Sequence, residues 1–245
     1  SMDAGNDITN DGGKLKAGTF VYLTAGRDNT NKSNTSSQTL SNGDKSESIV
    51  SQGEIQANDV VLVAGRDIVN DGSKISSTNE IYLEAGRDVD IKSTAVENIK
   101  TNRIHRGHEK THTIKHTGSE VNAGGNLTII SGADTKVSGS DVTSNAAINV
   151  TASGDFIEES VSDYYHYEKQ TKKKRRAGGS KTQRWEKTRI TQKGSSITAN
   201  GNVNINSGDD INVIASDIAS QSGDVNLVAT DEVNILSGVN YQRDY

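Results

Sequence analysis

Apolar and polar residues alternate in short runs along the whole chain. Val21 and Leu23, Val60 and Leu62, and Ile81 and Leu83 each stand two apart. Each pair leads into the same four residues: Ala25-Gly26-Arg27-Asp28, Ala64-Gly65-Arg66-Asp67 and Ala85-Gly86-Arg87-Asp88. Looser copies place Leu127 and Ile129 before Ser131-Gly132-Ala133-Asp134, and Ile148 and Val150 before Ala152-Ser153-Gly154-Asp155. Val203 and Ile205 precede Ser207-Gly208-Asp209-Asp210, and Val225 and Leu227 precede Ala229-Thr230-Asp231-Glu232. After the acid a second pair usually follows, clearest in Val89 and Ile91, Ile211 and Val213, and Val233 and Ile235. One apolar residue opens each unit: Leu15, Ile55, Ile75, Val121, Val142, Ile197 and Ile218. The step from Ile55 to Ile75 is 20 residues, and those from Val121 to Val142 and Ile197 to Ile218 are 21. Seven units result, with a partial one ending near Ile8.

Period-2 alternation predicts short strands with one face inward. The Gly-Arg-Asp and Ser-Gly-Asp segments read as corners, where glycine supplies backbone freedom. A unit of this size cannot bury its apolar face alone, so units must stack and share one interior. The predicted fold is all-β: a right-handed parallel β-helix of ~20-residue coils, spaced ~4.8 Å apart. A helical reading fails because no 3,4 apolar spacing persists. A β-sandwich would not give a self-similar unit of this length.

The beat breaks three times, at residues 29–52, 94–120 and 158–196, always between the end of one unit and the start of the next. The insertions should therefore project from one edge of a single β-helix domain spanning residues 1–245. The first is rich in Ser, Asn, Thr and Asp and reads as a polar loop or weak hairpin. The second and third alternate more, as in His112-Thr113-Ile114-Lys115-His116 and Tyr165-His166-Tyr167-Glu168-Lys169, and read as β-hairpins. The third turns near Ala177-Gly178-Gly179-Ser180.

Composition agrees with a thin repeat core. Hydrophobic residues make up 31 % and aromatics 4 %, too few for a spherical core of 245 residues. Disorder is the usual alternative, but proline is absent and the apolar beat is regular. Cysteine is absent, which excludes a disulfide scaffold and suits a chain exported unfolded. No run approaches a membrane span, and Ser1–Lys16 has no leader pattern. The opening Ser1-Met2 reads as an added start on a piece of a longer chain.

The net charge of −5 is unevenly spread. The third insertion carries +6 and the second +2, leaving −13 on the remainder. Lys172, Lys173, Lys174, Arg175 and Arg176 form a basic run, with Tyr164, Tyr165, Tyr167 and Trp185 nearby in sequence. This group reads as a contact surface for lipopolysaccharide, phospholipid headgroups or glycans. The plainer reading is a solvated hairpin tip whose lysines discourage edge pairing. No nucleic-acid-binding motif frames the run, so nucleic acid is not an expected partner.

His108-Glu109-Lys110-Thr111-His112 matches the H-E-x-x-H zinc-protease pattern, which needs both histidines on one helix face. The threonines around it favour a strand. There His108, His112, Ile114 and His116 share a face, and Glu109 points away. Neither a metal site nor a catalytic one is assigned to these residues, and no cofactor is expected. The corner acids, including Asp209-Asp210 and Asp231-Glu232, raise the β-helix glycosidase option. Their periodicity explains them as turn formers, so the chain is not expected to be an enzyme. The Gly-Arg-Asp order is not the integrin tripeptide. The Arg-Asp pairs could bind one another between coils, a surface effect of small worth.

Gly124-Gly125-Asn126-Leu127-Thr128-Ile129, Gly201-Asn202-Val203-Asn204-Ile205 and Ala85-Gly86-Arg87-Asp88-Val89 resemble filamentous haemagglutinin repeats, which belong to exoproteins exported by two-partner secretion in Gram-negative bacteria. The Thr/Lys/His-rich arms before Gly118–Asn126 look most like the second repeat region of contact-dependent growth inhibition toxins. The resemblance implies a secreted, outer-membrane-associated rod that passes an outer-membrane transporter on export. It further implies that the rod contacts the target-cell outer membrane and helps deliver a C-terminal toxin. The alternative is an adhesin or haemagglutinin stalk binding host or bacterial surface glycans. The coil ends and arms also offer surfaces for self-association.

Overall fold

The computed structural model describes residues 1–175 and 178–244, and all regular structure within them is β-strand. Three parallel sheets of eight, eight and seven strands wind into a parallel β-helix. One coil runs from Asp59–Ala64 in the first sheet through Ile68–Asp71 in the second to Lys74–Ser77 in the third. The next returns directly above it, with Ile81 opposite Val60 and Val89 opposite Ile68.

The registers align the apolar beat into columns. Leu23, Leu62, Leu83, Ile129, Val150 and Ile205 stack in successive coils of the first sheet, each almost fully buried. Such columns contribute ~1.5–3 kcal/mol per buried aliphatic side chain. Phe156, at 0 % exposure, is the one fully buried aromatic among the described residues.

The corners carry ladders of their own. A carboxylate of each corner aspartate accepts a backbone N–H from the next coil, as in Asp7 to Asp28, Asp88 to Asp134, Asp134 to Asp155 and Asp155 to Asp210. Arg27, Arg66 and Arg87 fork onto Asp7, Asp28 and Asp67. At the third corner the hydroxyls of Ser119, Ser140, Ser195 and Ser216 repeat the pattern, accepting the backbone N–H of Ser73, Ser119, Ser140 and Ser195 in turn at 3.0–3.3 Å.

The Gly-Arg-Asp glycines serve differently from the expected turn freedom, since none has a positive φ. They are required by close stacking: a Cβ on Gly65 would overlap the carbonyl of Gly26 in the coil below. Left-handed backbone occurs at another corner, after the second-sheet strand, at Gly12, Gly72, Gly139 and Ala215.

Two insertion boundaries shift for one reason. Asn29–Lys32 is a second-sheet strand rather than the start of the first insertion, and its Asn29 and Asn31 point inward. There Asn31 accepts from Asn10 and donates to Asn70, both at 2.8 Å. Phe156–Glu159 is likewise a second-sheet strand, so the third insertion does not begin at Glu158, which is fully buried between Val137 and Val213. Glu120 and Ser196 open third-sheet strands rather than ending the second and third insertions. The arms proper are Asn34–Thr39 with Lys45–Ser51, Thr94–Ile104 with Gly107–Thr117, and Val161–Lys174 with Ser180–Lys193.

These arms leave alternate coils. Ile8–Asp11, Ile68–Asp71, Thr135–Ser138 and Ile211–Ile214 pass straight to the third sheet through the left-handed corner. Asn29–Lys32, Val89–Lys92 and Phe156–Glu159 instead lead into arms, and Val233–Leu236 leads to Tyr241–Asp244 beside the third arm. The structural period is therefore two coils. Two coils rise ~9.6 Å, which is also the width of two paired strands. Successive hairpins thus meet edge to edge, and the arms join into one seven-stranded antiparallel sheet.

Candidate functional site

The arm sheet lengthens along the rod, from strands of six and seven residues in the first arm to eleven in the second and fourteen in the third. The second arm turns tightly between Ile104 and Gly107, with Arg106 in left-handed backbone at φ 61°. The carbonyl of Arg106 accepts the N–H of Lys172 at 2.8 Å, tying the second arm's turn to the third arm. Gly107 lies opposite Thr171, where a Cβ would overlap the Gln170 carbonyl. A glycine is needed there for the two arms to close.

Both faces of this sheet meet water, and strand alternation divides the side chains between them. On one face, Glu97 binds Lys45 and His112, both at 2.7 Å, and the His112 ring meets Tyr164 edge-on with centroids 5.1 Å apart. Tyr164 stacks in turn near His166, which lies directly across from His112. Lys45 and His112 hold the Glu97 carboxyl below the usual range. On the opposite face, Tyr167 and Trp185 meet edge-on at 5.7 Å, and Lys169 binds Glu109 at 2.8 Å. Lys169, then the Tyr167 hydroxyl, draw the Glu109 carboxyl down, and Glu109 in turn raises Lys169.

The sequence-predicted contact group is spread over this sheet rather than gathered. Tyr165, Tyr167, Trp185 and Lys173 share one face, while Tyr164, Lys172 and Lys174 share the other. Tyr165 lies eight residues from Lys173, roughly 27 Å along an extended strand. Trp185 sits opposite Lys169, between the two. Lys172, Lys173, Lys174 and Arg175 stand exposed at the tip of the longest arm, with no carboxylate partner among the described residues. Arg176 lies outside the described residues. Trp185 and Tyr165 are 49 % and 37 % exposed.

The histidines of the H-E-x-x-H segment lie on a strand, Gly107–Thr117. His108 faces Glu168 at 3.8 Å, His112 faces Glu97, and His116 faces Asp163 at 3.2 Å. Four residues of strand separate each histidine from the next by ~13 Å, so each meets its own carboxylate and the three share no centre. The one cluster of potential metal-binding groups among the described residues is Asp209, Asp210 and Asp231 at a corner of the rod. There Asp155, the first of several carboxylates stacked on it, raises the Asp209 carboxyl.

Three features escaped the sequence reading. Arg106 sits in a two-residue hairpin turn, where the left-handed position is normally signalled by glycine or asparagine. Lys181, Arg184 and Arg189 line the returning strand of the third arm, outside the obvious run. Glu158 was hidden by its polarity. Both its carboxylate oxygens are buried without a hydrogen-bond partner, and burial, then Asp217, pushes its carboxyl up to about 8.

A family model described as hemagglutinin repeat matches residues 101–174 and 176–244, together more than half of the chain. Each match runs from one hairpin tip toward the next arm and spans the two-coil period seen in the structure. No curated protein and no solved structure matches the chain.

Proposed function

The chain belongs to the hemagglutinin repeat family, the structural repeat of secreted, adhesin-like bacterial surface exoproteins, and from that premise we propose that it is a non-catalytic segment whose arm sheet contacts the outer membrane of a target cell. The observation that carries this reading is the tip of the third arm. Four adjacent cations, Lys172 to Arg175, stand there without acidic partners among the described residues, at the far end of the longest hairpin. The rest of the molecule is acidic, so an anionic surface attracts the tip and repels the rod. Contact is therefore oriented, with the arms toward the surface.

In the finer reading, this contact helps pass a C-terminal toxin inward during contact-dependent growth inhibition, after export through an outer-membrane two-partner transporter. The histidine- and threonine-rich arms support it. A second reading, a glycan-binding adhesin stalk, draws on the exposed Tyr165 and Trp185 and the half-buried Tyr167 that meets Trp185 edge-on, since exposed aromatic rings can stack on sugars. An in-frame deletion of residues 161–193 from the exoprotein, scoring attachment and toxin arrival separately, tests these readings. Retained attachment with lost delivery supports the translocation role. Lost attachment with normal export supports the adhesin. Loss of neither overturns both.

A further inference from the structure

The third arm outreaches the second, and the step between their tips forms an open hollow of about 490 Å³. Pairing between the arms ends at Gly107 and Thr171, while Lys172, Lys173 and Lys174 continue against Thr182, Lys181 and Ser180 of their own hairpin. Arg106 borders the hollow from the second arm's turn. Lys172 and Lys174 border it from the third arm, with His108, Gln170 and Ser180 completing the wall. Alternation turns Lys173 to the opposite face, so the basic run contributes only part of itself.

Among the described residues no carboxylate lines this hollow. The adjacent acid, Glu168, is already engaged by Arg184 at 3.3 Å and lies 3.8 Å from His108. Arg106, Lys172 and Lys174 have no ion-pair partner among the described residues. The backbone behind the wall is tied before any ligand arrives. The Arg106 carbonyl is tied to the Lys172 N–H, and glycine at 107 lets the strands close behind it. Three basic side chains, a hydroxyl and an amide border one open space. That donor set suits a compact anion with several oxygens and more than one charge, and a guanidinium fork matches phosphate oxygens.

We propose that this hollow seats a phosphomonoester on a lipid headgroup of the contacted membrane. The inference rests on the anionic-surface reading above and assigns it a face and a chemistry. The lipid source follows from position. The hollow lies at the tip end of the arm sheet, where Arg175 and, on the opposite face, Lys173 are also exposed; there a surface presents many phosphates at once and a lone soluble ion presents one.

The test is cosedimentation of the full chain with phosphatidylcholine vesicles containing phosphatidic acid, or containing phosphatidylglycerol at matched surface potential. Two variants remove equal charge: Lys172→Gln with Lys174→Gln in the hollow, and Lys173→Gln with Lys181→Gln on the other face. The hollow variant should lose about tenfold in phosphatidic acid binding and the other-face variant less than about threefold. Phosphatidylglycerol should bind the native chain more weakly. Equal losses in both variants, with both lipids bound alike, would overturn the hollow and leave the anionic-surface reading standing. Absence of binding to either anionic vesicle would sink both. Inorganic phosphate that shifts the Lys172 and Lys174 resonances while vesicles fail to bind would replace the lipid by a soluble phosphate.

Discussion

The rod and the arm sheet are built on the same strand spacing and stabilised by opposite means. In the rod every second residue points into a dry interior, and columns such as Leu23, Leu62 and Leu83 carry the energy. In the arm sheet neither face is dry, and cohesion comes from the backbone ladder and from cross-strand pairs such as Lys169 with Glu109. A side chain in the rod is constrained by the coils above and below. A side chain in the arms answers mainly to solvent and to whatever the sheet touches. The positive charge and exposed aromatic rings accordingly collect in the arms, where no core position forbids them.

Several substitutions would break or sharpen this contrast. The largest effect belongs to the rod. Leu83→Ala should destabilise by about 2–5 kcal/mol, read as a lowered midpoint in chemical denaturation. Ile114→Ala, on the half-buried arm strand Gly107–Thr117, should move the same midpoint far less.

Glu158 comes next. Its carboxyl titrates near 8 in the folded chain, against an ordinary value of 4.5. Between those values the folded state holds a proton that the unfolded state has released. Stability therefore falls as pH rises from about 4.5 to about 8, by at most about 1.4 kcal/mol per pH unit. Glu158→Val, matching its neighbours Val137 and Val213, should abolish that slope and stabilise the rod at pH 8. Denaturation midpoints of both proteins at pH 5, 6.5 and 8 decide it, and parallel slopes would contradict it.

Gly107→Val should act on the arms alone. The added side chain meets the Gln170 carbonyl, so the second and third arms should part. Hydrogen exchange should show lost protection in Gly107–Thr117, with coil amides such as those of Ile81–Ala85 unchanged. The smallest effect lies at the last left-handed corner. Ala215, at φ 50°, is the one non-glycine among the four. Ala215→Gly should stabilise by up to about 1 kcal/mol, because relief of strain is partly offset by greater freedom in the unfolded chain.

The coil architecture could be read from sequence because its signal is repeated: Val60 with Leu62 and Ile81 with Leu83 state the same strand twice. The inward polar residues could not be read in that way. Asn31 and Glu158 occupy positions where other coils place Ile91 or Val213, and only the stacked register shows them inside. Asn31 is satisfied by a ladder that spans three coils, a pairing no local window contains.

The alternation of arms left a trace that passed unnoticed. Asp11-Gly12, Asp71-Gly72 and Ser138-Gly139 mark three of the plain corners, where glycine permits the left-handed turn. Ala215 conceals the fourth. For the basic tip, charge was evident from the run of lysines, but its division between two faces depends on pairing across the hairpin. Lys172 and Lys173 are neighbours in sequence and face opposite ways in space.

The equality between the rise of two coils and the width of one hairpin makes the two parts of the molecule commensurate. A duplication or loss of one coil would shift every later arm by ~4.8 Å, open a strand-wide gap in one place and leave a hairpin edge bare. A change of two coils with their hairpin restores the phase everywhere. Lengthening a chain of this design is thus quantised: the rod and its flanking sheet can grow together only in whole pairs of coils, and a partner that reads the arms meets the same spacing at any length.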